Sequence, residues 1–230
     1  MKRLLLTFFG ILIFVSVTSA QDSITNGVET NMGVGLYSRY VWRGQELGNS
    51  PSIQPYVDVS YSGFTLGVAG AYQFSGAGYQ EFDIYASKEW GVFKITAWDY
   101  FGYTDTLGFD FFQYSEKETG HQLELVGELD LRKYLPLKLL GGYNVFGADV
   151  HKAMYFELCY FANIKDTDIE IFCGFTPYKG AYASNAAITN CGINFKGDIR
   201  LMPSVILPSS FSVVCNPFEK IVYLVAGFQF

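Results

Sequence analysis

Apolar and polar residues alternate along most of the chain, and the last residues show the pattern most clearly. Every second residue from Val222 to Phe230 is apolar, and the residues between them include Gly227 and Gln229. A period of two is typical of a β-strand. In a membrane barrel the last strand pairs with the first, because lipid cannot satisfy the backbone groups of an open edge. We therefore predict that Phe230 ends the closing strand of a barrel.

The same alternation recurs upstream and predicts about twelve strands of about ten residues each, joined by turn-forming segments. The first runs from about Glu29 to Val41, and its partner runs from about Ser52 to Tyr61. This strand content is well above that of ordinary globular domains. The predicted connections alternate between long and short, as in outer-membrane barrels. The segment from Asp198 to Pro208 contains two prolines and indicates a bulge or a long inner turn, so the count could range from roughly ten to fourteen.

Alternation does not say whether the apolar face meets lipid or a protein core, since a lipocalin or a secreted β-sandwich gives the same pattern. A closed barrel of about twelve strands is too wide for aliphatic side chains to fill. Its polar face would carry mainly Gly, Ser, Thr, Tyr and Glu, which suits a hydrated interior. We predict an all-β fold, a transmembrane antiparallel up-and-down β-barrel, with a secreted β-sandwich as the alternative.

Aromatic side chains gather near the predicted strand ends, where membrane barrels carry interfacial girdles. The residues assigned to the membrane interface are Tyr40, Trp42, Trp90 and Phe230.

The N-terminus has the features of a cleaved secretory signal peptide. Lys2 and Arg3 precede an apolar run that ends in small residues at Ser19 and Ala20. We predict cleavage after Ala20, which leaves residues 21–230 as a single outer-membrane barrel domain. Of 16 basic residues 14 remain, against all 22 acidic ones, a formal charge of −8. Such acidity disfavours nucleic acid as a partner.

Little in the sequence indicates catalysis or a cofactor. The four cysteines show no metal-binding spacing and are interpreted as free thiols. His121 and His151 are the two histidines, and Asp149, near His151, leaves a loop hydrolase conceivable. No nucleophile-elbow, zinc-protease or nucleotide-binding motif occurs. We therefore predict a protein that is not an enzyme and has no cofactor or metal.

Acidic residues outnumber basic ones on the predicted polar face, and charged rings bias which ions enter a pore. The predicted pore-lining residues are Arg39, Asp58, Asp83, Lys94, Glu124, Glu128, Asp130, Lys138, Glu157 and Glu170. We expect a passive channel for small hydrophilic solutes with a weak cation preference. In the main alternative, opposed charges fill a closed barrel whose long loops bind a ligand; an outer-membrane hydrolase is the third possibility.

The segment from Ser38 to Gly44, with Gly48 to Pro55 after it, resembles the opening of the TorF-like porins, a family of bacterial outer-membrane barrels. Two later segments, Gly120 to Glu124 and Val225 to Phe230, are similar to the rest of such a chain. The resemblance implies a porin-like barrel and supplies no catalytic residues. The expected partners are outer-membrane lipid, the barrel-assembly machinery through the C-terminal strand, and small solutes.

Overall fold

The structure is a computed structural model that describes residues 27–75, 79–104, 110–115, 118–202 and 205–230. The predicted signal peptide lies outside the described residues. The residues in these ranges form fourteen strands. They are β1 (Val28–Tyr37), β2 (Tyr40–Trp42), β3 (Gln45–Gly48), β4 (Ser52–Tyr61), β5 (Phe64–Gln73), β6 (Gln80–Trp90), β7 (Phe93–Tyr103), β8 (His121–Asp130), β9 (Leu137–Gly147), β10 (Met154–Ile164), β11 (Thr167–Thr176), β12 (Ala187–Met202), β13 (Val205–Asn216) and β14 (Ile221–Gln229).

Twelve of these strands form one closed antiparallel barrel, in which β1 pairs with β4, each strand from β4 to β13 pairs with the next one in the chain, and β14 pairs with β1. β2 and β3 form a separate two-stranded sheet. Short connections such as 62–63, 91–92 and 165–166 lie at one end of the barrel, here called the turn end. Longer connections, including 38–51 and 177–186, lie at the opposite loop end. The predicted all-β up-and-down barrel of twelve strands is confirmed.

The seam that closes the barrel joins β1 to β14 over a short length. Gly35 pairs with Gln229, and Tyr37 pairs with Gly227. The backbone of Phe230 both donates to and accepts from Val34, at 2.9 and 3.0 Å. The terminal residue therefore contributes two hydrogen bonds to the seam through its backbone.

In the segment from Asp198 to Pro208, the described residues of β12 and β13 pair with each other up to Met202 and Val205. The register shifts between Arg200 and Met202, which agrees with the predicted bulge, and Met202 pairs with Val205. The alternative of a long inner turn was wrong. Pro208 pairs with Asp198 on one side, whereas pairing with β14 starts at Ser209. Pro208 thus lies where β13 is an edge strand, a position that tolerates a missing amide hydrogen.

The two faces of the barrel wall differ in polarity. Exposed apolar side chains of the outer face include Met32, Val59, Leu66, Ile95, Leu125, Leu158, Ile171, Phe211 and Leu224. The alternate residues point inward and include the buried Glu81, Asp83, Ser87, Thr96, Glu124 and Asn190. The wall is therefore the reverse of a soluble barrel, with its apolar surface outside and its polar surface inside.

No helix in the described part of the chain is long and apolar enough to cross a membrane. The four cysteines are free. Cys173, Cys191 and Cys215 are register neighbours on three adjacent strands, while Cys159 is buried on the inner face.

Candidate functional site: the inner hairpin and the barrel interior

The connection between β1 and β4 folds into the barrel. Residues 38–51, here called the inner hairpin, contain β2 and β3, joined by the two-residue turn Arg43-Gly44. Both turn residues have positive φ, 49° and 78°. This is the requirement of the tight turns that match the twist of a β-hairpin, and glycine meets it without strain.

The tip of the inner hairpin is anchored to the opposite wall. Arg43 donates from Nη1 to Glu124 Oε1 at 2.6 Å and from Nη2 to Glu124 Oε2 at 3.1 Å. It also donates to the hydroxyl of Tyr182 in the 177–186 loop. The side chains of Arg43 and Glu124 are 9% and 1% exposed. Glu124 lies on β8, so this bidentate ion pair spans the interior.

Burial and neighbouring groups act in opposite directions on the pKa of Arg43. Burial disfavours the charged guanidinium, whereas Tyr182 and Glu124 favour it, and the net result raises the pKa of Arg43 above its ordinary value. Arg43 therefore stays charged.

Backbone contacts complete the anchor. Asn216, at the end of β13, donates from Nδ2 to the carbonyl of Gly44 at 3.1 Å. Gln45 Nε2 donates to the carbonyl of Ala181 at 2.8 Å. A Cβ on Gly44 would collide with the backbone of Thr189 in β12, so the tip touches the wall itself. One on Gly142 would collide with the Glu124 carboxylate, so glycine there makes room for the ion pair.

Aromatic rings pack around the anchor. Trp42 lies 5.6 Å from Tyr100 and 5.9 Å from Tyr182, measured between ring centroids. The Arg43 guanidinium lies 4.3 Å from the Trp42 ring centroid and 4.5 Å from that of Tyr155. Cation–π contacts of this kind add to the ion pair. The hairpin tip is consequently held by charge, hydrogen bonds and ring packing together.

The base of the inner hairpin is held by its own polar pairs. Arg39 Nη1 donates to Glu46 Oε1 at 2.7 Å, which links the two sides of the hairpin. The Tyr40 hydroxyl donates to Glu81 Oε1 of β6 at 2.7 Å. The hairpin is thus fixed near β6 at its base and near β8 at its tip.

The predicted interface positions of Tyr40 and Trp42 were wrong. Strand β1 ends at Tyr37 rather than near Val41, and the chain then turns inward. Both aromatic side chains contact residues of the inner face, namely Glu81 and Tyr100. For the same reason Arg39 belongs to the hairpin and not to the wall. The sequence held a signal that could have shown this, since Arg43-Gly44 interrupts a short alternating segment as a hairpin turn does.

Trp90 and Phe230 lie on the outer surface. Trp90, at the turn end, is 53% exposed and stacks on Phe93 with ring centroids 6.0 Å apart. Phe230 is 46% exposed. Its pairing with Val34 places it partway along β1 rather than at the end of that strand.

The other predicted pore-lining residues lie on the inner face, and several are paired with bases. Glu128 contacts Lys138 at 2.7 Å and Lys94 at 3.6 Å. Glu170 contacts Lys196 at 3.2 Å, and Asp130 contacts Arg132 at 2.5 Å. These pairs lie near the turn end, where the side chains are more exposed than at the hairpin anchor.

Asp58, Asp83 and Glu157 form no ion pair within the described residues. Asp58 accepts a hydrogen bond from the Tyr85 hydroxyl at 2.9 Å. Glu157 accepts from Asn190 Nδ2 at 2.8 Å and from the Tyr155 hydroxyl. Together with Glu81, these are inner-face carboxyl groups that no Lys or Arg of the described residues pairs with.

The inner hairpin divides the interior of the barrel near the loop end. A cavity of about 380 Å³ lies on the side of β10 to β14, lined by residues such as Arg39, Glu157 and Asn194. A second cavity of about 260 Å³ lies on the side of β4 to β7, lined by residues such as Gln54 and Asp83. The hairpin narrows the interior without filling it.

The two histidines lie apart from this site. His121 faces outward, with Nδ1 2.7 Å from Asp99 Oδ1 and Nε2 2.7 Å from the carbonyl of Phe111. Asp149 Oδ1 accepts a hydrogen bond from the backbone of His151 at 3.1 Å, so it caps that turn. In the ranges that the structure covers, no cluster of three or more His, Cys, Asp or Glu residues could hold a metal.

The sequence matches no protein-family model and no curated protein, so the resemblance to the TorF-like porins is not confirmed. Solved structures with a similar fold include a KdgM porin, at 12% identity and a TM-score of 0.48. A KdgM porin in complex with disordered oligogalacturonate has the same identity and a TM-score of 0.47. Each match covers 87% of this chain and 98% of the other. Both measures are low, so the solutes of those porins are not transferred to this chain.

Proposed function

We propose that this chain is an outer-membrane channel for small hydrophilic solutes, narrowed by the inner hairpin. The observation that supports it most is the reversed polarity of the wall. Leu66 and Leu125, at mid-strand on the outer face, are 64% and 43% exposed, which is costly in water and favourable in lipid. The inner face is lined by carboxylates, amides and hydroxyls, which suit a hydrated path.

The location and the partners follow from the same proposal. Lipid of the bacterial outer membrane covers the apolar outer face, and β14 is the strand that the barrel-assembly machinery would bind. Export would rely on the predicted signal peptide, residues 1–20.

A weak cation preference is the second part of the proposal. It is supported by Asp58 and Glu157, whose carboxylates have no Lys or Arg partner among the described residues. Glu124 and Glu128 contribute less to a cation preference than their inner-face positions predict, because they form ion pairs with Arg43 and Lys138. Uncompensated carboxylates raise the local concentration of cations.

Recordings from the purified protein in planar bilayers test both parts. We expect steady single-channel currents and a reversal potential, in a KCl gradient, that indicates cation preference. The double variant Asp58→Asn, Glu157→Gln should lower the cation-to-anion permeability ratio, most strongly at low salt, where screening is weakest. If that variant leaves the reversal potential unchanged in a conducting channel, these carboxylates do not set selectivity.

A closed barrel with ligand-binding loops is the second candidate, favoured by the anchoring of the hairpin tip. The Arg43–Glu124 pair and the Asn216 contact hold the tip against the wall. A hairpin held in this way could act as a permanent plug. In that case the wild-type protein would be silent in bilayers, and only variants lacking the hairpin would conduct.

A further inference from the structure

The cavity between the inner hairpin and the wall from β4 to β7 combines aromatic rings with acidic side chains. It has a volume of about 260 Å³. Its aromatic lining consists of Tyr37, Tyr40, Trp42, Tyr56, Trp98 and Tyr100. Glu81 and Asp83, two residues apart on the inner face of β6, also line it. The hairpin supplies Tyr40 and Trp42, so this cavity exists only when the hairpin is folded inward.

The acidic side of the cavity lacks a positive partner. Glu81 and Asp83 are each 6% exposed. Glu81 Oε1 accepts a hydrogen bond from Tyr40, but the buried Asp83 Oδ1 has no hydrogen-bond partner among the described residues. No Lys or Arg forms an ion pair with either residue in the part of the chain that is described. A buried carboxylate that no Lys or Arg neutralises is costly, and a bound cation would offset that cost.

The aromatic side of the cavity indicates which kind of cation fits. Trp98 stacks on Tyr100 with ring centroids 5.3 Å apart, and Trp42 meets Tyr100 edge-on at 5.6 Å. Aromatic faces attract cations, and several rings around one site are the usual means of binding quaternary ammonium groups. A bare divalent metal ion would need more oxygen ligands than two carboxylates supply.

We propose that this cavity binds a small organic ammonium cation. Asp83 and Glu81 are the counter-charges, and Trp42, Trp98 and Tyr100 surround the ammonium group. The inference rests on the proposed channel function, because the cation would reach the cavity through the solvent inside the barrel. It names organic ammonium compounds as the solute class that the narrow part of the channel retains.

Tryptophan fluorescence of the detergent-solubilised protein tests the proposal, with choline as the probe. Trp42 and Trp98 line the cavity and Trp90 is the third tryptophan of the chain, so a Trp90→Phe variant reports on the cavity alone. We expect choline to change the emission saturably. Its uncharged isostere, 3,3-dimethylbutan-1-ol, should bind at least about tenfold more weakly. An equal response to both compounds, or no saturable response to choline, would overturn the proposal without any further variant.

Substitution of Asp83, whose Oδ1 has no partner among the described residues, provides a second test. Asp83→Asn keeps the shape and removes the charge, and should weaken choline binding at least about tenfold. The matched control is Asp168→Asn, which also removes an inner carboxylate but lies outside this cavity, next to Asn163. Retained affinity in Asp83→Asn, or equal losses in both variants, would contradict the assignment.

Current recordings separate this inference from the proposed function. If the protein conducts ions but does not bind choline, the proposed ammonium site is wrong and the proposed channel function still holds. If the protein binds choline but carries no current, the proposed channel function is wrong and the proposed ammonium site still holds.

Discussion

The Arg43–Glu124 ion pair links the inner hairpin to the wall of the barrel. Arg43 belongs to a connection between barrel strands and Glu124 to the wall opposite, and both side chains are almost completely buried. Removing one member of a buried pair leaves the other without compensation, which costs more than the loss of a pair at the surface. The position of the inner hairpin therefore depends on this contact.

We predict that Glu124→Gln destabilises the folded protein by on the order of 3 kcal/mol. The backbone amides of the inner hairpin should also exchange faster with solvent. Glu170→Gln is the control, since its partner Lys196 is 59% exposed and the pair should contribute less than about 1 kcal/mol. Denaturant unfolding in lipid vesicles and hydrogen exchange measure both effects. Equal stability and exchange in the two variants would contradict the anchoring role.

Residue alternation predicted which way a side chain points but not which partner it meets. Glu128 and Lys138 were both assigned to the inner face, and the structure pairs them at 2.7 Å. Tyr40 and Trp42 were misassigned because alternation continues past Tyr37 into β2, where the chain has already left the wall. A period of two identifies a strand, but it does not reveal the sheet to which the strand belongs.

At the scale of elements, the barrel strands could be predicted from the sequence, whereas the inner hairpin could not. The barrel strands follow from local patterns that extend over about ten residues. The inner hairpin is short, and its position depends on Glu124, Thr189 and Asn216, which lie far along the chain. The β12–β13 hairpin shows the same limitation, because Pro208 is tolerated only where the pairing of β13 with β14 has already stopped.

The closing seam gives a prediction at this scale. Deleting Phe230 removes the two backbone hydrogen bonds to Val34. When the purified protein is refolded in lipid vesicles, the deletion should lower the fraction that forms a heat-modifiable, folded barrel. Phe230→Leu keeps the backbone and should fold there nearly as well as the wild type. If the leucine variant fails as badly as the deletion, the ring rather than the backbone closes the seam.

At the scale of the whole molecule, the barrel is a closed wall whose outer face carries exposed apolar side chains. This arrangement predicts a contrast between neighbouring residues of β5. Leu66→Arg places a charge on the exposed outer face and should cost about 2 to 4 kcal/mol near the bilayer midplane. Thr65→Arg points into the barrel, where water and Asp58 can receive the charge, and should fold. Yields of folded protein in lipid vesicles measure the difference, and similar yields would reverse the assignment of the two faces.

Single-channel conductance with and without the inner hairpin tests the central claim most directly. Tyr37 pairs with Ser52 across β1 and β4, so residues 39–50 can be replaced by Asn-Gly while the barrel strands stay joined. We expect the wild-type protein to conduct steadily and the shortened protein to conduct more, because the constriction is gone. A wild-type protein that carries no current, or two proteins with the same conductance, would contradict a channel narrowed by the inner hairpin.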